Sequence, residues 1–316
     1  MLRKKETKTL EFRKEEFDIE FHYLLCENGT EYTTTELDTI NLNQLHNKYR
    51  AKHNLPFPEE IKLIRERYGL SATKMSELLG FGANVYGNYE KGKIPNKSNG
   101  KMIQMISDPD HFISLIKKDR TIEEKERVKL LEKAKSSKFT ESPVVAYLLG
   151  SDSPTIFSGY RVPNIERLTE MVVFFARETQ PWKTKLNKLL FYADFSFFKA
   201  IGYSISGAHY RAIPNGPVVS NYQGMFEYLV NNNHIKVFTK VFDRNIGEQF
   251  LPSENRAFNP DLFSSKELET LKKVADRFKG VKTKDIVNIS HEELGWIENE
   301  EDRNIISYEY AFELND

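Results

Sequence analysis

Two neighbouring segments in the second half of this 316-residue chain constrain its fold most, because both carry apolar residues at helical spacing. In residues 164–178 the positions i, i+3, i+4 and i+7 hold Leu168, Met171, Val172 and Phe175. In residues 184–202 the same spacing recurs with Leu186, Leu189, Leu190, Ala193 and Phe197. We therefore predict two core helices.

Shorter signals around these helices predict further elements. A third helix is expected after Ser220, taken as its N-cap, and alternating residues over 235–251 predict an antiparallel hairpin that turns at Asp243–Asn245. Ser264 and Glu267 form a capping box at the start of another helix, and one more helix is expected near Thr283. The fold class expected for this half is α+β, dominated by helices.

The aromatic residues between 182 and 210 are too widely spread for one face of one helix. A thick core explains them, but some of them could instead form an exposed docking surface, because aromatic residues are enriched at protein interfaces. The cluster consists of Trp182, Phe191, Tyr192, Phe195, Phe197, Phe198, Tyr203 and Tyr210.

The first half predicts a small β-hairpin and a helical bundle. Alternation from Phe17 is followed by Asn28-Gly29, which favours a tight turn, and a helix is expected over 34–54. Between residues 58 and 118 a helix with Pro58 in its first turn precedes two short helices, the first capped by Ser71. Two short helices joined by a glycine-containing turn are typical of a helix-turn-helix.

These patterns divide the chain into four segments. Residues 1–57 are expected to form the hairpin and helix, 58–118 the helix-turn-helix bundle, 119–139 a charged linker helix and 140–316 the α+β half. For the charged segment, an exposed face of the preceding bundle is an equally good interpretation.

Composition excludes several protein classes. Lys plus Arg (46) balance Asp plus Glu (46), so no global positive field attracts nucleic acid or an anionic membrane. Cys26 is the one cysteine, which excludes an intramolecular disulfide and a four-cysteine zinc site, and no metal ligand set is predicted. No segment has the roughly twenty apolar residues that a membrane span requires, so a cytoplasmic protein without a membrane partner is expected.

Catalytic motifs are missing from the sequence. It lacks the phosphate-binding, dinucleotide-binding, nucleophile-elbow and zinc-helix patterns, so neither an enzyme nor a cofactor is predicted. His291 lies beside Glu292, but adjacent helix positions do not face each other, and a capping box of Ser290 with Glu293 explains the segment more simply. His209 is expected to be a packed or surface residue.

A DNA-binding role would depend on a few exposed residues in the first half. The second short helix offers Asn84 and Asn88 as base readers but no arginine, and Gly87 weakens it. Lys91, Lys93, Lys97 and Lys101 follow without an intervening acid, a pattern that suits phosphate contacts. The candidate DNA-binding residues are Asn84, Asn88, Lys91, Lys93 and Lys97.

The second half resembles the Panacea domain, or SocA-like antitoxin domain, over about residues 157–300. The motifs KLNKLLFYAD and YRAIPNGPVV, starting at Lys185 and Tyr210, carry the resemblance together with SHEELGW from Ser290. The first half resembles MqsA-type antitoxins, in which a zinc module precedes a helix-turn-helix. That family uses paired cysteines, whereas this chain has only Cys26, and its usual Ser-Arg-Tyr-Glu-like run is Gly87-Asn88-Tyr89-Glu90 here.

The resemblance implies an antitoxin of a bacterial or phage toxin-antitoxin system that binds its cognate toxin protein directly. Exposed members of the aromatic helix and the following loop are then the expected toxin contacts, namely Tyr192, Tyr210, Arg211, Asn215 and Tyr222. A DNA-binding regulator with a sensor or dimerisation domain and a proteolytic adaptor are the alternatives. Operator DNA and a second copy of the chain are further partners that these readings allow.

Overall fold

The computed structural model describes residues 1–137, 143–242 and 245–315. The chain divides into two compact units. The first comprises Met1–Lys4, His22–Ile40 and Val144–Asp316, and the second comprises Lys5–Phe21 and Asn41–Pro143. The four segment limits drawn from the sequence remain predictions.

A three-stranded sheet begins the chain, in the order β1 (Leu2–Phe12), β2 (Glu15–Leu25) and β3 (Glu31–Tyr32). The hairpin predicted at Asn28-Gly29 is confirmed, since Leu24 pairs with Tyr32 and Gly29 has a φ of 82°. Strand β1 was not expected, because its sequence is highly charged. Arg13 and Lys14 stand between β1 and β2 with φ values of 53° and 65°, where Asn or Gly would be usual.

Seven helices follow in the described residues up to 137. They are α1 (Thr35–Lys52), α2 (Pro58–Arg67), α3 (Ala72–Leu78), α4 (Val85–Glu90), α5 (Lys97–Ser107), α6 (Pro109–Lys118) and α7 (Glu124–Ser137). Ser71 caps α3 as predicted, by accepting the N–H of Lys74. Leu130 and Ala134 of α7 are buried in the same core as Ile61 and Ile103, as expected if this charged segment is a face of the bundle.

The first unit contains seven further helices within its described residues and two hairpins. The helices are α8 (Pro143–Leu149), α9 (Ile165–Thr179), α10 (Lys183–Ile201), α11 (Tyr222–Asn231), α12 (Ser265–Phe278), α13 (Thr283–His291) and α14 (Leu294–Ile297). The hairpins are β4 (Tyr210–Ile213) with β5 (Gly216–Val219), and β6 (Ile235–Phe242) with β7 (Asn245–Pro252). A 3₁₀ helix spans Tyr308–Glu313.

Helix α10 lies at the centre of this unit. Every residue from Lys185 to Phe195 is buried, because α9, α12, α13, β5, β7 and the 3₁₀ helix surround it. A helix that is covered on all sides needs apolar residues around its whole circumference. The thick-core interpretation of the aromatic cluster is therefore correct for its members on α10.

The predicted α+β class is confirmed, and so is the capping box of Ser264 and Glu267 at the start of α12. The cap assigned to Ser220 is wrong, because Asn221 caps α11 by accepting the N–H of Gly224. The box of Ser290 and Glu293 is also wrong, because α13 continues through His291 and the Ser290 hydroxyl donates to the carbonyl of Val287. In the predicted turn at 243–245, residues 243 and 244 lie outside the described residues.

Candidate functional site

A buried carboxylate fixes the loop that follows α10. Asp194 is fully buried and accepts the backbone N–H groups of Ile205 and Ser206 at 2.7 and 2.8 Å. The hydroxyls of Ser206 and Tyr210 donate to its other oxygen at 2.5 and 2.8 Å. Burial raises the pKa of Asp194, while these hydrogen bonds act in the opposite direction. The four bonds hold Tyr210 inside the core.

Tyr192 and Tyr210 therefore do not lie on the surface. Both side chains have no exposed area, and the Tyr192 hydroxyl donates to Oε1 of Glu293 at 2.9 Å. The expectation that these two tyrosine side chains are exposed is wrong in this fold. The physical reason is that α10 has neighbours on every side, so its aromatic residues point into packed interfaces.

The other three predicted toxin contacts are at least partly accessible. Asn215 is exposed in the turn between β4 and β5, and Tyr222 is half-buried at the start of α11. Arg211 is half-buried, and its guanidinium donates to the carbonyl of Arg303 at 2.8 Å. The described fold thus leaves Asn215 and Tyr222 available to a partner and uses Arg211 to hold a neighbouring loop.

A buried lysine supports the turn that carries Asn215. Lys188 of α10 has no exposed area, and its ammonium donates to the carbonyl of Pro217 at 2.8 Å. Gly216 has a φ of 89° and closely approaches both Lys188 and Ser290, so a side chain there would collide with them. Burial lowers the pKa of Lys188 to about 7.

The far half of the β6–β7 hairpin exposes large apolar side chains on both faces. Val241 is 72% exposed and Ile246, which pairs with it, is 70% exposed. Phe238 and Phe242 lie on the other face and are 51% and 44% exposed. Two strands alone bury little surface, so this hairpin leaves apolar groups accessible on both of its faces.

A cleft of about 350 Å³ lies at the β7 side of this hairpin. Phe242, Ile246 and Trp182 supply its apolar wall, and we call it the Trp182 cleft. The Trp182 and Phe242 rings meet edge to face at 5.3 Å. Its remaining lining is polar, from Lys183, Thr184, Gly247, Glu248 and Thr283, and Lys183 pairs with Glu248 at 2.7 Å.

The sequence did not identify this cleft as a site. In the sequence Trp182 is one member of the aromatic cluster between 182 and 210, and the cleft joins the start of α10 to strand residues about sixty positions later. One signal was present, since β6 carries apolar residues in both alternating sets although a two-stranded hairpin can bury only one face.

The five candidate DNA-binding residues are all exposed. Asn84 precedes α4, Asn88 lies within it, and Lys91 and Lys93 follow it directly. Lys97 begins α5, so the lysine run continues on a helix and not along a single loop.

Buried contacts fix α4 in the second unit. The backbone N–H of Tyr86 donates to the Ser76 hydroxyl, and the Tyr86 hydroxyl donates to the carbonyl of Ile61, both at 2.8 Å. Arg65 holds Glu90 through two hydrogen bonds of 2.5 and 3.2 Å. Helix α4 therefore presents Asn88 from a rigid support.

The remaining reactive side chains form no catalytic group. Residues 1–137, 143–242 and 245–315 contain no group of three or more His, Cys, Asp and Glu side chains placed to hold a metal. Cys26 is half-buried, and His291 stacks on Trp296 with ring centroids 3.9 Å apart. His209 is buried, and neither ring nitrogen has a hydrogen-bond partner among the described residues. Every helix in the described part of the chain is too short or too polar to cross a bilayer.

Comparison with known proteins finds a family similarity for one part of the chain. Neither the curated proteins nor the solved structures contain a match to this sequence. A family model does match, and its limits enclose most of α10, the β4–β5 and β6–β7 hairpins and α11 to α14. Residues 186–297 match the family model described as Antitoxin SocA-like, Panacea domain.

Proposed function

We propose that this protein is an antitoxin that neutralises a toxin by direct binding, and that the Trp182 cleft receives part of the toxin. The observation that supports this proposal most is an exposed cleft with an apolar wall, five of whose eight lining residues lie within the range 186–297 that matches an antitoxin family. Binding of this kind needs no catalytic residue and no cofactor. The proposed role is accordingly non-enzymatic.

The chemistry of the cleft suits an apolar side chain surrounded by polar contacts. Trp182, Phe242 and Ile246 provide apolar area, and the ion pair of Lys183 with Glu248 lies at the rim. Tryptophan is enriched among residues whose truncation costs about 2 kcal/mol or more in binding. A central aromatic anchor with a polar rim is the usual arrangement at tight interfaces.

Tyr222 extends the surface around the Trp182 cleft, whereas Arg211 and Asn215 lie elsewhere on the first unit. The Lys183 ammonium lies 5.9 Å from the centre of the Tyr222 ring, which places that ring beside the cleft. Arg211 and Asn215 are near the loop that ends at Asn304, because Ala212 N–H donates to the carbonyl of Asn304. We propose Tyr222 as a toxin contact and retain Arg211 and Asn215 as secondary contacts.

Co-expression with the product of the neighbouring gene tests the proposal. The full chain should restore growth if that product is toxic, and the two proteins should co-purify. Ile246→Glu places a charge in the cleft wall and Trp182→Ala removes its anchor, so each should weaken binding by about tenfold or more.

Ile297→Glu is the matched control, because Ile297 is also exposed within the matched region but lies on α14. It should neutralise like the unchanged chain. If the Ile246→Glu and Trp182→Ala variants neutralised the toxin as fully as the unchanged chain does, the cleft would not be the contact site. A non-toxic neighbour, or one that stays toxic beside the unchanged chain, would contradict the antitoxin role itself.

A second function, operator binding by α3 and α4, is proposed on separate grounds. All five candidate residues are exposed: four lie on α4 and its flanks and Lys97 begins α5, and buried bonds hold α4 in place. Asparagine can pair with adenine in the major groove, and lysines neutralise phosphates. Such binding would let the antitoxin regulate its own promoter.

A gel shift on the chain's own promoter tests this second function. Changing Lys91, Lys93 and Lys97 to Glu should abolish the shift. In any residual binding, the slope of log K against log salt should be less steep by about 0.9 for each phosphate contact removed. Lys117, Lys118 and Lys125 changed to Glu make a matched control, since these lysines are also exposed. A shift that is insensitive to salt, or equal losses in both triple variants, would refute DNA binding at this helix.

A further inference from the structure

One edge of strand β6 has unused backbone hydrogen-bonding groups. The N–H of Phe250 points away from β6, because it donates to the carbonyl of Pro181 at 2.9 Å. In an antiparallel pair, the backbone N–H and C=O groups of two directly opposed residues either bond each other or point away from the partner strand. Val237 opposes Phe250, so the backbone N–H and C=O groups of Val237 point away from β7. Because this direction alternates along a strand, the same groups of Thr239 and Val241 also point away from β7.

No backbone partner for Thr239 or Val241 occurs within residues 1–137, 143–242 and 245–315. Both residues are exposed, as are Phe238, Lys240 and Phe242 between and beside them. The opposite edge of the hairpin is covered, since Trp182 bridges to Gln249. An uncovered edge with apolar side chains is a surface on which another strand can pair.

We propose that this edge binds the same edge of a second copy of the chain, in an antiparallel pair centred on Thr239. In this register Thr239 faces its counterpart and Val237 faces the partner's Val241. The three outward-pointing residues of one strand then meet the three of the other, and all their N–H and C=O groups on this edge are satisfied. The two hairpins become one four-stranded sheet.

The charges on β6 favour this register over the two adjacent ones. With Thr239 at the centre, Lys240 lies opposite Phe238 of the second copy and Lys236 lies opposite Phe242. Shifting the centre toward Phe238 places Lys236 opposite the other copy's Lys240, and shifting it toward Lys240 places the two Lys240 side chains opposite each other. Like charges directly opposed destabilise a sheet, whereas an ammonium beside an aromatic ring is favourable.

The face of the paired strands that carries residues 237, 239 and 241 is mostly apolar. Val237 and Val241 of each copy lie side by side around the two Thr239 residues, so the highly exposed Val241 is covered. A contact of one strand edge buries less area than a permanent dimer usually does, so the dimer should dissociate on dilution. Of the residues that line the Trp182 cleft, only Phe242 lies on β6, so this pairing reaches one side of the cleft at most.

Sedimentation of the full chain over a wide range of concentrations tests the pairing. The unchanged chain should show a concentration-dependent monomer–dimer equilibrium. Thr239→Pro removes one outward N–H and none that bonds β7, so it should keep the fold and lower the association constant by about tenfold or more. Thr239→Val keeps the N–H and should dimerise like the unchanged chain.

A disulfide test reports the register. In a Cys26→Ser background, Thr239→Cys should cross-link two chains on oxidation, because its Cα would lie about 5.5 Å from the same atom of the partner. Val237→Cys should not, because in this register it faces Val241. A chain that stays monomeric at the highest concentration, a Thr239→Pro variant that dimerises fully, or cross-linking of Val237→Cys alone would overturn the proposal. Ile246→Glu should still dimerise, which separates this result from toxin binding.

Discussion

At the residue scale, a few buried polar groups determine which side chains reach the surface of the first unit. Asp194 collects four donors from the loop after α10, and Glu293 accepts the Tyr192 hydroxyl. A buried polar group without a partner costs more than a hydrogen bond contributes, so such groups specify one arrangement strongly. The two tyrosines are consequently structural residues.

Asp194→Asn should lower the free energy of unfolding by about 2–4 kcal/mol, because the amide nitrogen replaces an oxygen that accepts two hydroxyl donors. Urea unfolding would measure the loss. Asp276→Asn, on the exposed surface of α12, serves as the control and should change stability by no more than about 0.5 kcal/mol. Equal effects of the two substitutions would contradict the role assigned to Asp194.

Lys188 should make stability depend on pH. Burial lowers its pKa to about 7, whereas an unfolded lysine has a pKa of about 10.4. Between these values the unfolded chain binds the proton and the folded chain does not, so this group's contribution to stability rises with pH. The stability of the unchanged chain minus that of Lys188→Met should therefore increase from pH 7 to pH 9, by at most about 1.4 kcal/mol per pH unit.

Denaturant titrations at several pH values would measure this difference. The exposed Lys272 provides the control, since Lys272→Met should give a difference that is flat over the same range. A flat difference for Lys188→Met would show that Lys188 has an ordinary pKa in the folded chain.

At the element scale, the β6–β7 hairpin depends on a glycine in β7. A side-chain carbon at Gly247 would lie 2.8 Å from the Phe242 ring and 2.9 Å from the Trp182 ring. The absence of a side chain thus allows both rings to pack on the strand and form the cleft wall. The helices depend on other signals, such as Ser71 and Ser264 at their N-caps.

Gly247→Ala should displace the Trp182 ring and destabilise the hairpin locally, by about 1–3 kcal/mol as other overpacked sites are. Amide hydrogen exchange should speed up in residues 235–252 while α10 keeps its protection. Gly280→Ala is the control, because the space around Gly280 is open and exchange should not change there. Loss of protection throughout α10 would mean that the glycine supports the whole unit and not the hairpin.

At the scale of the whole molecule, opposite charges cancel, and the isoelectric point is about 7.1. Proteins near zero net charge repel each other least, so solubility should pass through a minimum close to pH 7. Precipitation by polyethylene glycol at pH values from 5 to 9 would locate this minimum. Lys272→Glu with Lys273→Glu, both on exposed positions of α12, should move it to lower pH, and an unmoved minimum would contradict the charge argument.

Most elements of the first unit were predictable from the sequence, because their signals are local. Apolar spacing located α9 and α10, and alternation located β6 and β7. Strand β1 was not predictable in this way, since a charged exposed strand has no apolar period and its turn uses Arg13 and Lys14. The predicted cap at Ser220 is wrong because the neighbouring Asn221 caps α11. The predicted capping box at Ser290 is wrong because α13 continues through His291.

The sequence by itself determined helices α1 to α4 and α9 to α13, the β2–β3 and β6–β7 hairpins, the α+β class and the Panacea resemblance, which the family match over residues 186–297 supports. Only the tertiary structure decided which aromatic residues are accessible. Tyr192 and Phe242 are both aromatic residues with apolar neighbours, yet one is buried against α12 and Glu293 while the other lines an open cleft. Burial depends on which elements pack around a residue, and that is a property of residues far apart in the chain.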